Sequence, residues 1–489
     1  MRKLNIILMA LALALAFSCK EEETVPEQPD FITVNLSEPF SAQVGDLFEI
    51  SVPEQKDAVE YLWIVPESIN IVEGNGTPKI LVTGLSSGVI IAGTIRVYAI
   101  NAKGESIPRV LYKEITITPM PEKPGFIKCG ISGSMIAFFG EEVSFRIDED
   151  DALESVKWTV PEGSVLLSDN LEGTSVVLKA PSVVARMIDK DAVKVRVAYK
   201  SGVEQEYSWA KPIYTADPSE AKRYGSKVWT LRNLNYAGLD GTVGRVYPGD
   251  ENGEKYGRYY SWEEAMTGSS TADCPYTYGS SGIDDVGNAY TLTDGLNAWN
   301  IQIQGICPEG WHVPNAYDFY DLAAGVADDY GLRVGSINDC VSRKAGIYLP
   351  DVRSTAPMTA MNLITFGFIS SYLRGSRPES EGGMWTAHAN QAENGTMFNL
   401  SKASGSFPAG TYPMYFPELN EEIGFNILPC GQFNGDTQPS LGAYSFHWTA
   451  TITSSGTSYR FTVGNNSCNL STYAQSHVYS CNLRCVANY

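Results

Sequence analysis

Gly305-Ile306-Cys307-Pro308-Glu309-Gly310-Trp311-His312-Val313-Pro314 reads as an ordered turn that ends in a short strand. Asn315 follows as an N-cap, and Phe319, Leu322, Ala323 and Val326 repeat at helical spacing behind it. Cys307 and Trp311 are residues that lock such a corner into a core. The rest of the chain is organised around this corner.

The composition changes near Asp217-Pro218. From Arg223 onward the chain holds 21 of its 27 Tyr and six of its nine Trp, but only four Lys. Four further stretches share that region with the corner. Tyr256-Gly257-Arg258-Tyr259-Tyr260-Ser261-Trp262-Glu263-Glu264-Ala265-Met266 reads as a strand turning into a helix. Gly424-Phe425-Asn426-Ile427-Leu428-Pro429-Cys430-Gly431 and Trp448-Thr449-Ala450-Thr451 come next, and Leu483-Arg484-Cys485-Val486 closes the chain. In this order the set resembles the Fibrobacter succinogenes major paralogous domain, over about 223–489. Thr449-Ala450 stand where that family has serines, Leu483 precedes Arg484, and insertions near 267–300 and 375–420 lengthen the pattern.

The resemblance implies an α+β C-type-lectin-like fold whose last strand pairs with its first. It also implies a bridge between Cys307 and Cys485, closing a loop of roughly 180 residues; two separate buried thiols are the alternative. Eight thiols remain once Cys19 is set aside, with no C-x-x-C among them, so disulfides are preferred to zinc. Seven lie in the C-terminal part, so at least one is free or pairs with Cys129.

Two hairpins echo one another: Trp385-Thr386-Ala387 with Gly395-Thr396, and Trp448-Thr449-Ala450 with Gly456-Thr457. Between them Phe407 to Pro417 forms a proline-stiffened aromatic loop. It is either a ligand platform or a satellite core. Trp385, Tyr412, Tyr415 and Phe416 are the candidate ligand-binding residues. Calcium-dependent sugar binding of the lectin type is not expected, because Gln438-Pro439-Ser440 lacks a carboxylate and Trp448-Thr449-Ala450 lacks ligand side chains. Asp250, Asn252 and Glu254 make a weak alternative oxygen cluster, and no other metal or cofactor is expected. The four histidines are dispersed, and no H-E-x-x-H, G-x-S-x-G or phosphate-binding glycine loop occurs, so no enzyme is expected.

Upstream lies a duplication. Gly45-Asp46-Leu47-Phe48 recurs as Gly140-Glu141-Glu142-Val143, and Trp63-Ile64-Val65-Pro66-Glu67 as Trp158-Thr159-Val160-Pro161-Glu162, each 95 positions on (140 − 45, 158 − 63). Short β-branched runs bounded by Gly, Asn and Pro fill both units, 31–119 and 124–217. They resemble the immunoglobulin-like and PKD-like modules of bacterial surface lipoproteins. Trp63 and Trp158 read as core residues. The fold class is therefore multidomain: two all-β immunoglobulin-like sandwiches, then the lectin-like domain.

Met1 to Cys19 set the expected address. Arg2 and Lys3 precede an apolar run from Leu4 to Phe17 that is too short to span a bilayer. Ser18-Cys19 resembles the lipobox of bacterial lipoproteins, with Ala16 where that family has Leu. This implies removal of 1–18 and lipidation of Cys19; a plain secretory signal is the alternative. Lys20-Glu21-Glu22-Glu23 resembles the signal that exports Bacteroidetes lipoproteins to the outer face of the outer membrane, beside the plainer reading of a solvated charge run. Residues 19–30 read as a flexible tether. The formal charge of −20 disfavours nucleic acid and anionic membrane surfaces. The expected molecule is a non-enzymatic surface lipoprotein, touching the membrane only through its anchor, that binds a host or neighbouring-cell ligand, protein or glycan, in the manner of an adhesin. Glycan capture for a polysaccharide-uptake system is the alternative.

Overall fold

The structure is a computed structural model that describes residues 24–120, 123, 125–131, 133–292, 301–330, 369–387, 391–392, 397–400, 410–413, 415–453, 455–465 and 471–489. The leader, Cys19, Lys20 to Glu23, His388, Cys340 and Cys468 lie outside these residues, as does much of the 375–420 insertion.

The chain is mostly β-structure. The alternation of Glu60–Ile64 buries Tyr61 and Trp63 and turns Glu60, Leu62 and Ile64 outward, as a half-buried strand requires. Its counterpart Leu153–Thr159 buries Val156 and Trp158 in the same way. The repeat is visible in the pairing. Ser41–Gln43 runs parallel to Ile115–Thr118 in the first unit, and Ile136–Phe138 parallel to Ile213–Ala216 in the second. Each tryptophan donates its indole N–H to a carbonyl about fifteen residues on, Trp63 to Thr77 and Trp158 to Gly173, both at 2.8 Å. That bond satisfies the one polar atom each buries.

Residues 24–30 do not hang free. Asn101 Nδ2 donates to Thr24 O (2.7 Å), Gln55 Nε2 to Gln28 O (2.9 Å), and Arg109 Nε to Pro29 O (2.8 Å). Pro26 and Pro29 are buried against the first unit. The expected tether of 19–30 is therefore shorter than composition suggests, because its second half is laid along the sheet edge.

The C-terminal unit is built on a four-stranded antiparallel sheet. Its order is Ala221–Tyr224, Lys227–Thr230, Val486–Ala487, Trp311–His312. The last strand thus sits between the opening hairpin and the corner, and Cys307 and Cys485 are joined by a disulfide beside it. Around the sheet pack helices α1 (Trp262–Thr267), α2 (Ala316–Asp329), α3 (Ile369–Leu373) and α4 (Pro417–Ile423). Of the two echoed hairpins the second is present, Tyr444–Ile452 pairing with Ser458–Gly464. In the first, Gln391–Ala392 pairs with Met397–Leu400, and Gly395 and Thr396 lie outside the described residues. Trp385 and Thr386 are not part of it: Trp385 bridges Pro378, and Thr386 N donates to Gly442 O. Cys129, Cys274, Cys430 and Cys481 are free thiols, which corrects the preference for disulfides at these four. Among the described residues no helix is long and apolar enough to cross a membrane.

The units are docked on one another. Val203, from the second unit, is buried in the core of the first, and Asn70 Nδ2 donates to Ser201 O (2.8 Å). Ile136, Tyr214 and Ala216, also from the second unit, belong to the core that holds Trp229, Trp311 and Val486. Met135 N donates to Asn488 O and Asn488 N to Gly310 O, both at 2.8 Å.

Candidate functional site

The corner is full. Asn315 caps α2 reciprocally: its Oδ1 accepts from Asp318 N (3.0 Å), and Asp318 Oδ2 accepts from Asn315 N (2.8 Å). The same carboxylate meets His312 Nε2 (3.0 Å) and Lys227 Nζ (3.0 Å), while Asp321 lies 3.3 Å from that ammonium. Burial alone would raise the Asp318 carboxyl, but Lys227 and His312 outweigh it and hold it lowered to about 2. His312 is fully buried, with Nδ1 against Asn488 Oδ1 (3.0 Å). The ring of Tyr489 closes over Lys227 Nζ, 3.0 Å from the ring centre. No face of His312 is left for a ligand.

The remaining signature stretches converge on Arg484. Its guanidinium donates to the carbonyls of Phe425 and Asn426 and to Asn233 Oδ1, and lies 4.5 Å over the Phe425 ring. Asn233 also takes the Nε2 proton of His447 (2.9 Å) and donates to Tyr256 O (2.9 Å). Trp448 donates to Tyr260 O and Trp262 to Thr449 O, both at 2.9 Å. Gly257 has φ +72°, and a Cβ there would sit 2.7 Å from the Asn233 side chain. These motifs hold the fold; none presents an open reactive group.

The aromatic candidates separate. Trp385 is 1% exposed, under the Arg374 guanidinium at 4.5 Å. It is a core residue, so the expectation that it stacks on a ligand is corrected. Phe416 stacks on Tyr372 with ring centres 4.5 Å apart. Asn420 fixes that pair: its Oδ1 accepts from Phe416 N, and its Nδ2 donates to Ser371 O and Arg374 O. Lys222 and Tyr224 anchor the other end of α4 through the carbonyls of Glu422 and Ile423. Tyr415 is half-buried, with the Arg377 guanidinium 5.8 Å from its ring. Tyr412 lies in the strand Gly410–Pro413, paired to Phe398, and its side chain lies outside the description. Phe416 and Tyr372 thus form one supported aromatic pair, and Tyr415 precedes it in the chain with Arg377 at its ring.

Two of the three residues of the oxygen cluster are held by hydrogen bonds that involve the backbone. Asp250 accepts at both carboxylate oxygens from the backbone N–H groups of Lys255 and Tyr256, and the backbone carbonyl of Asn252 accepts from Asn235 Nδ2. Among the described residues no group of three or more His, Cys, Asp or Glu is placed to hold a metal.

Residues 223–487 match the model of the Fibrobacter succinogenes major domain, and residues 43–112 match a PKD-like domain. The first match covers more than half of the chain. The chain belongs to that family. No curated protein matches it. Two solved structures resemble parts of this Fibrobacter major domain protein. Bacteroides ovatus mixed-linkage glucan utilization locus SGBP-B, in complex with a mixed-linkage heptasaccharide, shares 13% identity at a TM-score of 0.11, over 45% of this chain and 51% of its own. Murine CEACAM1b shares 9% at a TM-score of 0.15, over 38% of this chain and 99% of its own. The match thus spans about half the length of the first of these, and likenesses at these scores carry no argument about ligand.

One constellation in the Fibrobacter major domain was not visible in sequence. Ser458 Oγ lies 2.8 Å from His477 Nε2, and His477 Nδ1 lies 2.8 Å from Glu263 Oε1. This is the connectivity of a hydrolytic triad. Ser458 is fully buried, however, and the imidazole is stacked on Trp262 at 4.5 Å, so no substrate reaches the hydroxyl. The trio ties α1 to the hairpin. The buried thiols are equally unreactive: burial pushes Cys430 up to about 11 and Cys481 up to about 12, which leaves both protonated near neutrality. Lys227 and Asn233 were also missed, since a lone Lys or Asn in a strand or loop carries no local signal of being a hub.

Proposed function

We propose that this protein is a non-enzymatic outer-membrane lipoprotein, surface-exposed and anchored through Cys19. In this reading two immunoglobulin-like modules present a C-type-lectin-like Fibrobacter major domain to a protein on a host or neighbouring cell. The supporting observation is the pair of packed joints. Val203 lies in the core of the first unit and Tyr214 in the core of the last. Joints of this kind project a tip rather than let it swing. The binding surface is assigned to Tyr412, Tyr415 and Phe416, not to the corner.

The second reading, glycan capture for a polysaccharide-uptake system, is favoured by the Tyr372–Phe416 stack beside half-buried Tyr415, since sugar rings pack on such aromatic faces. A glycan array and a host-surface-protein binding assay on residues 20–489, with Tyr412→Ala and Tyr415→Ala, separate the two. Protein adhesion without sugar binding supports the adhesin. Sugar binding lost in both variants supports capture. Hydrolysis of any glycan by the purified protein sinks both.

A further inference from the structure

The first module carries its chain entry and its joint to the second module at opposite ends. Entry is at the turn between strands Arg96–Asn101 and Gly104–Glu105, where Asn101 Nδ2 holds Thr24 O and Val25 stands beside Gly104. Strand Glu60–Ile64 starts at this end, since Glu60 is paired with Ile100 and Val59 N donates to Ile100 O (2.8 Å). The strand leads away to Pro66–Ser68, where Leu85 N donates to Ser68 O. Leu85 and Asn70 are the residues that lie against Gly202 of the second module.

Only Lys20 to Glu23 separate Cys19 from the fastened Thr24. Five Cα–Cα steps span at most about 18 Å whatever path they take, against about 40 Å for a leash running to Asp30. Among the described residues the entry end also exposes apolar side chains: Val59 is 81% exposed and Val25 45%, and Ile107, two positions beyond the strand Gly104–Glu105, is 73% exposed. Ala102 and Lys103 complete the turn, both exposed.

We infer that the Asn101–Gly104 end of the first module is seated on the lipid surface, held there by the four-residue leash and by Val25 and Val59. The inference rests on the proposed lipidation of Cys19, and it deepens that reading: the partner of this end is the bilayer interface, and the strands of the first module point the second module and the C-terminal domain away from it. Burying a valine at the interface is favourable by roughly 25 cal/mol per Å² of apolar surface removed from water. Two valines do not anchor a protein alone. They suffice to orient one that the acyl chains already hold.

The test uses the full lipidated chain in phosphatidylcholine vesicles that carry a headgroup quencher. An environment-sensitive fluorescent amino acid is placed in turn at position 59, 102, 112 or 239. Tyr112 is exposed beyond Leu111, whose N–H is bonded to Ile95 O at the far end of the first module, and Leu239 is exposed on the C-terminal domain. The expected result is quenching at 59 and 102, and none at 112 or 239. Uniform quenching, or none, in protein that floats with the vesicles overturns the orientation while leaving the anchor intact. Protein that fails to float overturns the anchor and the orientation together. Inserting twenty Gly and Ser residues between Glu23 and Thr24 is expected to abolish the quenching at 102, and its persistence would overturn the leash as the cause.

Discussion

The ring of Tyr214 packs on Gly310, so closely that a Cβ on Gly310 would stand 2.5 Å from the ring. Gly310 also has φ +83°, a conformation that side chains rarely adopt. Beside this contact Arg186 pairs with Glu309 and Arg223 with Glu141, the latter at 3.1 Å. The signature turn is therefore the seat of the second module. Gly310→Ala is expected to destabilise the joint by about 1–3 kcal/mol through clash and backbone strain. Limited proteolysis should then release the C-terminal domain near Asp217–Glu220, while the first module melts as before. Unchanged protease resistance would refute the joint as the weak point.

The turn, the short strand and the Asn315 cap were legible because each is a local choice: Pro, Gly and Asn at fixed offsets. Trp63 and Trp158 were legible because duplication repeats them. Neither Lys227 on Asp318 nor Tyr214 on Gly310 was, since partners more than ninety residues apart meet only once the sheet has formed. Trp385 stands for the opposite failure. An aromatic residue near a hairpin reads the same whether it faces solvent or lies beneath an arginine 11 positions away (385 − 374). The tether misled for a similar reason. Glu- and Pro-rich chain is spacer-like in isolation, but Gln55, Asn101 and Arg109 offer donors that fasten it.

The Cys307–Cys485 bridge closes a separation of 178 residues. Loop entropy in the unfolded chain gives a ceiling of about 5 kcal/mol for such a closure. Cys485→Ser is expected to lower the urea midpoint of the C-terminal domain strongly. Reductant should do the same to the parent protein and nothing further to the variant. A variant that still responds to reductant would place a second bridge in the domain.

His447 is buried, and that burial, with the Arg484 charge as the second cause, drives its basicity well below the usual histidine range. The sign follows directly. The unfolded chain takes up a proton near pH 6.5 and the folded one does not, so this stability is present above that pH and is lost as pH falls below it. Urea melts should change little between pH 7.5 and 6.5 on this account and lose up to about 1.4 kcal/mol per pH unit below pH 6.5 for this one proton. His447→Gln is expected to be less stable at pH 7.5 but flatter across the window. An identical slope would assign the acid sensitivity elsewhere.

Asp318 governs a lower window. Its folded carboxyl, lowered to about 2 from 3.8, contributes stability above pH 4 that is lost as pH falls toward 2, on the order of 2 kcal/mol. Asp321, raised by burial beside the same ammonium, works in the opposite sense as it ionises. Asp318→Asn strands the buried Lys227 with Asp321 alone and removes a cap. It should cost about 3–5 kcal/mol at pH 7 and shrink the acid limb below pH 4. Calorimetry at pH 7 and pH 3 reads both.

Trp385 and Tyr415 make the sharpest contrast, because both were candidates for the same ligand and the fold treats them oppositely. Trp385→Ala removes a buried indole and the face on which Arg374 rests, which should cost about 3–5 kcal/mol. Any loss of binding in that variant should follow the folded fraction and recover under conditions that restore folding. Tyr415→Ala leaves the Tyr372–Phe416 stack and the Asn420 bonds in place, so its melting should stay within about 1 kcal/mol of the parent. If Tyr415 belongs to the binding surface, affinity falls without any change in stability. Melting curves set beside binding isotherms for the two variants decide it: a stable Trp385→Ala protein that has lost its ligand would return the indole to the site.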